Sequence, residues 1–403
     1  MRFFAVVSTL FIGAFLFTSL SPLSGQEGHE DQHQEEAVQH QGKTDLHQGE
    51  QDTGHGELKH ADSHDVDSHD EEFNATEYIL EHVSDSHEWH ILTTKQGHHV
   101  SVYLPVILYS KHSGLHMFFS KKIAHGHNHL GFEIGHGTIQ VENKKGKVVD
   151  KSLKGKIIEV DAHGEMVAEG LPLDFSITKN VFMMLLSVII LLWVFLSLAR
   201  SYKRIGISEP KGLQGFIEPL VIFIEEDVAI PNIGEERYLK YMPYLLTVFF
   251  FILLNNLMGL IPFFPFGANV TGNIALTMVL ALLTFLITQF SGNKGHWQHV
   301  FNTPGVPKPL LIIMIPVEII GLLTKPFALM IRLFANITAG HIVVLSLISM
   351  IFIFKSVFMS VPSMVMVLFM DCIEILVAFL QAYIFTLLSA LFIGLAMPEH
   401  HHD

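Results

Sequence analysis

Two apolar segments, residues 310–354 and 363–396, constrain this chain more than any other feature. As single helices they would be about 68 Å and about 51 Å long, against a bilayer hydrocarbon core of about 30 Å. Neither can stand upright. Each is either broken in two, at Pro316, Gly321, Pro326 or Gly340, or strongly tilted, the pair forming a long hairpin that turns near Lys355 to Pro362. Neither segment contains a polar loop long enough to leave the membrane, which favours the tilted hairpin.

Three shorter segments have spanning length: residues 177–199, 243–261 and 272–290. Residues 213–224 are too short, contain Pro219 and end in Glu225, Glu226 and Asp227, which suits a helix lying in the interface. Arg200, Lys203, Arg204 and Lys211 follow the first span, and Lys294 and Lys308 follow the third. By the positive-inside rule these ends are cytoplasmic, so the N-terminal region lies outside and the C-terminus inside, as for a multi-pass protein of the bacterial plasma membrane. With 49% apolar residues and 32 Phe, an ordinary soluble enzyme is excluded. The single cysteine, Cys372, excludes an intramolecular disulfide.

The N-terminal part follows other rules. Residues 1–25 read as a signal peptide, with an uncleaved anchor as the alternative. Residues 26–72 are poor in large apolar side chains and rich in acids and in histidines such as His29, His33, His40, His47, His55, His60, His64 and His69, which predicts a disordered linker. Residues 73–172 regain β-rich runs, at Val100 to Leu104, Val106 to Tyr109 and Thr138 to Val141, and predict a small extracytoplasmic domain with strands. A helix over Glu77 to Trp89 would enter it. The expected fold class is therefore an all-α polytopic membrane protein over residues 173–398, with three upright spans, a tilted hairpin and an interfacial helix. A strand-containing domain precedes it, and residues 399–403 form a polar tail.

The hairpin carries Glu318, Lys325, Arg332, Asn336, His341, Asp371, Glu374 and Gln381. An ionisable group at bilayer depth costs roughly 2.5 to 3.5 kcal/mol on insertion scales, so such a set points to an ion path. Arg332 and Gln381 stand level across an antiparallel hairpin, as do His341 and Glu374. At ~1.5 Å per residue the second pair lies about 10–13 Å from the first. At ~100° per residue Asn336 and Glu318 share the face of Arg332, whereas His341 points about 180° away. Ala335 and Ala339 beside Arg332 permit close approach by another helix.

The run Lys325-Pro326-Phe327-Ala328-Leu329-Met330-Ile331-Arg332-Leu333-Phe334-Ala335-Asn336-Ile337-Thr338-Ala339-Gly340-His341 resembles the signature helix of ATP synthase subunit a, whose RLFxNxxAG core holds an essential arginine. Glu318, Asn255 to Met258 and Leu380 to Phe385 extend the resemblance over roughly residues 172–398, and Asp85 to His90 more loosely. The resemblance implies a proton-conducting stator subunit without a catalytic site or cofactor. Its partners would be a ring of c subunits, the subunit b peripheral stalk and the lipid membrane, with no nucleic acid. Arg332 would face the ring carboxylate; Gln381, Asn336, His341, Glu374 and Glu318 would serve proton movement. One branch of the family carries Glu at the place of His341 and His at that of Glu374, and some members carry an acid where this chain has Gly259. The rival reading is a metal-ion transporter using the N-terminal histidines. It requires paired His/Asp ligands within the spans, yet of 26 histidines only His341 sits clearly there.

Overall fold

The computed structural model describes residues 76, 79, 83–93, 99–124, 127–135, 138–142, 148–152, 155–161, 171–205, 212–261, 264–301, 307–354 and 357–397. The expected signal peptide, linker and polar tail lie outside these residues.

Among the described residues, nine short strands make the first part: β1 (Glu88–Thr93), β2 (His99–Tyr103), β3 (Pro105–Ser110), β4 (Gly114–Phe119), β5 (Phe132–Ile134), β6 (Thr138–Glu142), β7 (Val148–Ser152), β8 (Ile157–Glu159) and β9 (Leu173–Asp174). All ladders are antiparallel: β1 with β2, β4–β3–β9, β5 with β8 and β6 with β7. Alternation along β3 buries Val106 and Leu108 with Phe118, Ile123, Phe132 and Ile157 as a small core. Glu88 and Trp89 belong to β1, so the helix expected over Glu77 to Trp89 stops before them. The sheet also runs past the expected boundary at residue 172, because Leu173–Asp174 pairs with β3.

The helices are α1 (Lys179–Ile205), α2 (Leu213–Phe223), α3 (Ile230–Ile233), α4 (Tyr238–Gly259), α5 (Ile274–Ser291), α6 (Lys294–Phe301), α7 (Lys308–Phe354) and α8 (Val357–Leu395). Five of them, among the described residues, are long and apolar enough to cross a membrane: α1, α4, α5, α7 and α8. α7 and α8 are each continuous. Pro316 and Pro326 lie inside α7 and Pro362 inside α8 without ending either helix. Of the two alternatives for these segments, the unbroken one holds, and α8 begins earlier than expected. The stretch from residue 213 also continues further than its acidic end suggests. α2 passes into a π-helical turn, Ile224–Ala229, that carries Glu225, Glu226 and Asp227 and leads into α3. Ile224, Val228 and Ala229 are fully buried there, and their burial keeps the backbone helical through the charged turn.

The core sits around α4, where Leu245, Val248, Phe249 and Ile252 are inaccessible and 72% of the most apolar stretch is buried. α8 packs against α7, α4 and α3, while α5 packs on α7. Gly394 makes the approach to α3 possible, since a Cβ there would stand 1.8 Å from the carbonyl oxygen of Asn232. The two parts of the chain join without a linker. The amides of Phe175 and Ile177 donate to Ile107 and Pro105, and that of Lys179 to Ser86. Trp89 wedges edge-on against Phe182 and Phe264, with ring centroids 5.9 and 5.5 Å away. The start of α1 is thus seated on the strand-rich module.

Candidate functional site

Arg332 lies on the exposed face of α7 together with Ala335, Asn336 and Ala339. None of the most apolar stretch of α7 is buried within the chain, and only 11% of that of α8. The hairpin therefore offers a broad surface to something other than this chain, with a permanently charged guanidinium among small side chains near its middle. Asn336, one turn on, donates through Nδ2 to Oε1 of Gln381 at 2.8 Å; Gln381 is buried, and its Nε2 finds no partner among the described residues. Gln381 thus meets Asn336 rather than the level Arg332. Helical side chains lean toward their own N-termini, so in an antiparallel pair the tips that meet come from residues later in both helices than the level Cα atoms.

On the side of Arg332 toward the hairpin turn, His341 turns toward α4. Its Nε2 lies 3.7 Å from where a Cβ on Gly259 would stand. The Glu374 carboxylate lies against Gly340, 2.7 Å from the place of a Cβ, and among the described residues its buried Oε1 accepts no hydrogen bond. Glu374 thus reaches α7 beside His341 in sequence, but among the described residues no hydrogen bond joins the two side chains. Amides are buried along α4. Asn255 donates to Ser187 Oγ at 3.1 Å, and Asn256 accepts from Thr271 Oγ1 at 2.7 Å. Asn180, Asn255 and Asn269 each keep one buried, unpartnered polar atom. Leaving such an atom dry costs roughly 1–3 kcal/mol.

On the opposite side of Arg332, Glu318 faces α6, where His299 Nδ1 stands 4.0 Å from its carboxylate. His296, on the same short helix, lies 3.4 Å from Gln289 and lines a cavity with Thr288 and Lys325. Burial, then the charge of Lys325, then that of His299, hold the His296 imidazole below its usual pKa. Sequence reasoning missed α6, whose polar Gly295-His296-Trp297-Gln298-His299 run between two apolar segments was the available signal. It also missed Lys179, which reads as the flank of a span. Lys179 is only 9% exposed.

Apolar helices with amides and ionisable groups along their interior, and a guanidinium on an uncovered face, define a membrane protein built around an ion path. Residues 181–394 match the family described as ATP synthase A chain, and the chain belongs to that family. Residues 78–175 match a separate family described as a Domain of unknown function (DUF8433). Among relatives, ATP synthase subunit a of Chloroherpeton thalassium is 51% identical over 233 residues, covering 57% of this chain and 69% of the relative. ATP synthase subunit a 2 of Prosthecochloris aestuarii is 53% identical over 240 residues, covering 57% and 71%. ATP synthase subunit a of Anaeromyxobacter sp. is 45% identical over 258 residues, covering 60% and 61%. The chain is a non-catalytic membrane subunit of the proton-translocating sector.

Proposed function

We propose that this subunit carries protons through two offset half-channels separated by Arg332, which faces the carboxylates of a rotating c ring. The observation that carries this reading is the placement of Arg332 on a hairpin face that its own chain leaves uncovered. A guanidinium stays charged at any cellular pH, so it attracts an ionised ring carboxylate and favours release of its proton, yet cannot relay a proton itself. Polar groups flank it on both sides. Glu318 precedes it by about 21 Å of helix and His341 follows by about 13 Å, at ~1.5 Å per residue. A proton arriving by one passage leaves by the other only after riding the ring.

With the N-terminal region outside, His341, Glu374 and the surrounding amides line the outer passage, and Glu318, His299 and His296 the inner one. α7, at about 70 Å of helix, and α8 lie strongly tilted and wrap the ring. Other faces of the subunit meet the subunit b peripheral stalk and lipid. The metal-transporter reading is disfavoured by the family match and by relatives described as ATP synthase subunit a.

The test is a reconstituted ATP synthase carrying Arg332→Ala. ATP-driven proton pumping is expected to disappear, and full pumping by the variant would refute the assigned role.

A further inference from the structure

The three-stranded sheet β4–β3–β9 is apolar on both faces. One face carries Val106, Leu108 and Phe118 into the small core. Alternation turns the other face outward, where the register sets Leu115 opposite Tyr109, Met117 opposite Ile107 and Phe119 opposite Pro105, with Leu173 beyond Tyr109. No paired position on this outward face is charged; Asp174 sits on the inner one, level with Leu108. An antiparallel sheet with one face in water carries polar side chains there, so a face of this composition calls for cover. Among the described residues nothing provides it: Leu115, Met117 and Phe119 are 63%, 67% and 61% exposed.

The tether of this sheet says what covers it. Past β9 the third strand continues beside β3, since the amides of Phe175 and Ile177 donate to Ile107 and Pro105 at 2.9 and 3.1 Å. Two residues later Lys179 opens α1, the first helix long and apolar enough to span. Phe119, opposite Pro105, is therefore level with Ile177 and two strand spacings away, about 10 Å. The face cannot drift far from the bilayer that α1 enters. Lys111 at the β3–β4 turn and Lys121 and Lys122 just past β4 flank the patch at its two ends, all exposed. Bulky apolar groups, a tyrosine and cations on long apolar stems together suit an interface with anionic headgroups.

We propose that this sheet face docks the strand-rich module onto the bilayer leaflet from which α1 descends. Leu115, Met117 and Phe119 enter the boundary between headgroups and acyl chains, and the flanking lysines meet phospholipid phosphates. Through β9 the docked sheet braces the start of α1. None of this depends on the role of Arg332.

The test uses the whole complex in vesicles of phosphatidylethanolamine and phosphatidylglycerol. Met117→Cys is introduced with Cys372→Ser, which removes the single native cysteine of this chain, and is labelled with a bimane fluorophore; the complex carrying Cys372→Ser alone is the blank. Because Met117 is exposed, its replacement leaves the core untouched, and Leu115→Cys carries the same test if the first variant does not assemble. Lipids spin-labelled near the headgroup are expected to quench the label severalfold more than aqueous iodide does. Phe119→Glu, which sets an anion against the headgroups, should reverse that preference. Stronger quenching by iodide would show a face open to water, and protection from both quenchers would show a face covered by protein. Either result overturns the proposal, as would lipid quenching that Phe119→Glu leaves unchanged.

Discussion

At the scale of single residues, Gly340 and Gly259 bring the chemistry together by what they omit. A methyl group at Gly340 would come within 2.7 Å of the Glu374 carboxylate, which is the flexible end of a side chain and can move aside. Gly340→Ala should therefore leave folding nearly intact while displacing that carboxylate. We expect proton pumping to fall roughly tenfold or more, as misplacement by about 1 Å of a reacting group commonly does, with normal assembly in membranes. Unchanged pumping would show that the position of Glu374 is not critical. The motif residues around Arg332 were legible in the sequence because a charge inside an apolar helix is costly in lipid and therefore marks a site. Lys179 and His299 were not, because each lies at a helix end where a charge reads as an ordinary flank, and only the packing of a distant element encloses one and aims the other.

At the scale of elements, lengths were readable and partners were not. Continuous apolar runs announced α7 and α8, and an absent polar loop argued that they stay whole. Nothing in the composition announced that the helix from residue 213 continues through Glu225, Glu226 and Asp227, since burial of Ile224, Val228 and Ala229 is a tertiary event. α8 is held to α3 at Gly394, where a Cβ would meet backbone rather than a movable side chain. Gly394→Ala should force the helices apart and destabilise the subunit by about 1–3 kcal/mol or more, read as a lower unfolding temperature in detergent. A temperature equal to the parent's would place the close approach in doubt.

Across the whole molecule, the segment leading into β1 is tied to β9, just ahead of α1, by a small ionic latch. His87 Nε2 lies 3.0 Å from Asp174 Oδ2. Burial opposes charge on His87, but the hydrogen bond and charge of Asp174, with Asp85 adding, outweigh it and raise the imidazole above its usual value. Burial likewise opposes the Asp174 carboxylate, yet His87 and Ser176 hold it below the usual range. The signs follow from linkage. The raised His87 contributes fully below about pH 6.5 and loses its contribution as pH rises through its folded value; Asp174 contributes above about pH 3.9 and loses it as pH falls through its depressed value. The latch should be tightest between these limits. Hydrogen exchange at the Lys179 amide, which donates to Ser86, should accelerate on the alkaline side, and His87→Gln should remove that dependence. Exchange independent of pH beyond its intrinsic rate would argue against the latch.

By itself the sequence determined that this chain enters a membrane, that its last two helices are too long to stand upright, and which buried charges deserve a role. Those conclusions follow from hydrophobic length and the cost of a charge in lipid, both local properties of the chain. Only the tertiary structure decided which polar groups face one another: Gln381 with Asn336, Glu374 against Gly340, Asp85 with Thr178 and Asn180. Such meetings depend on the lean of side chains and on backbones brought close by glycine, which no stretch of sequence records alone.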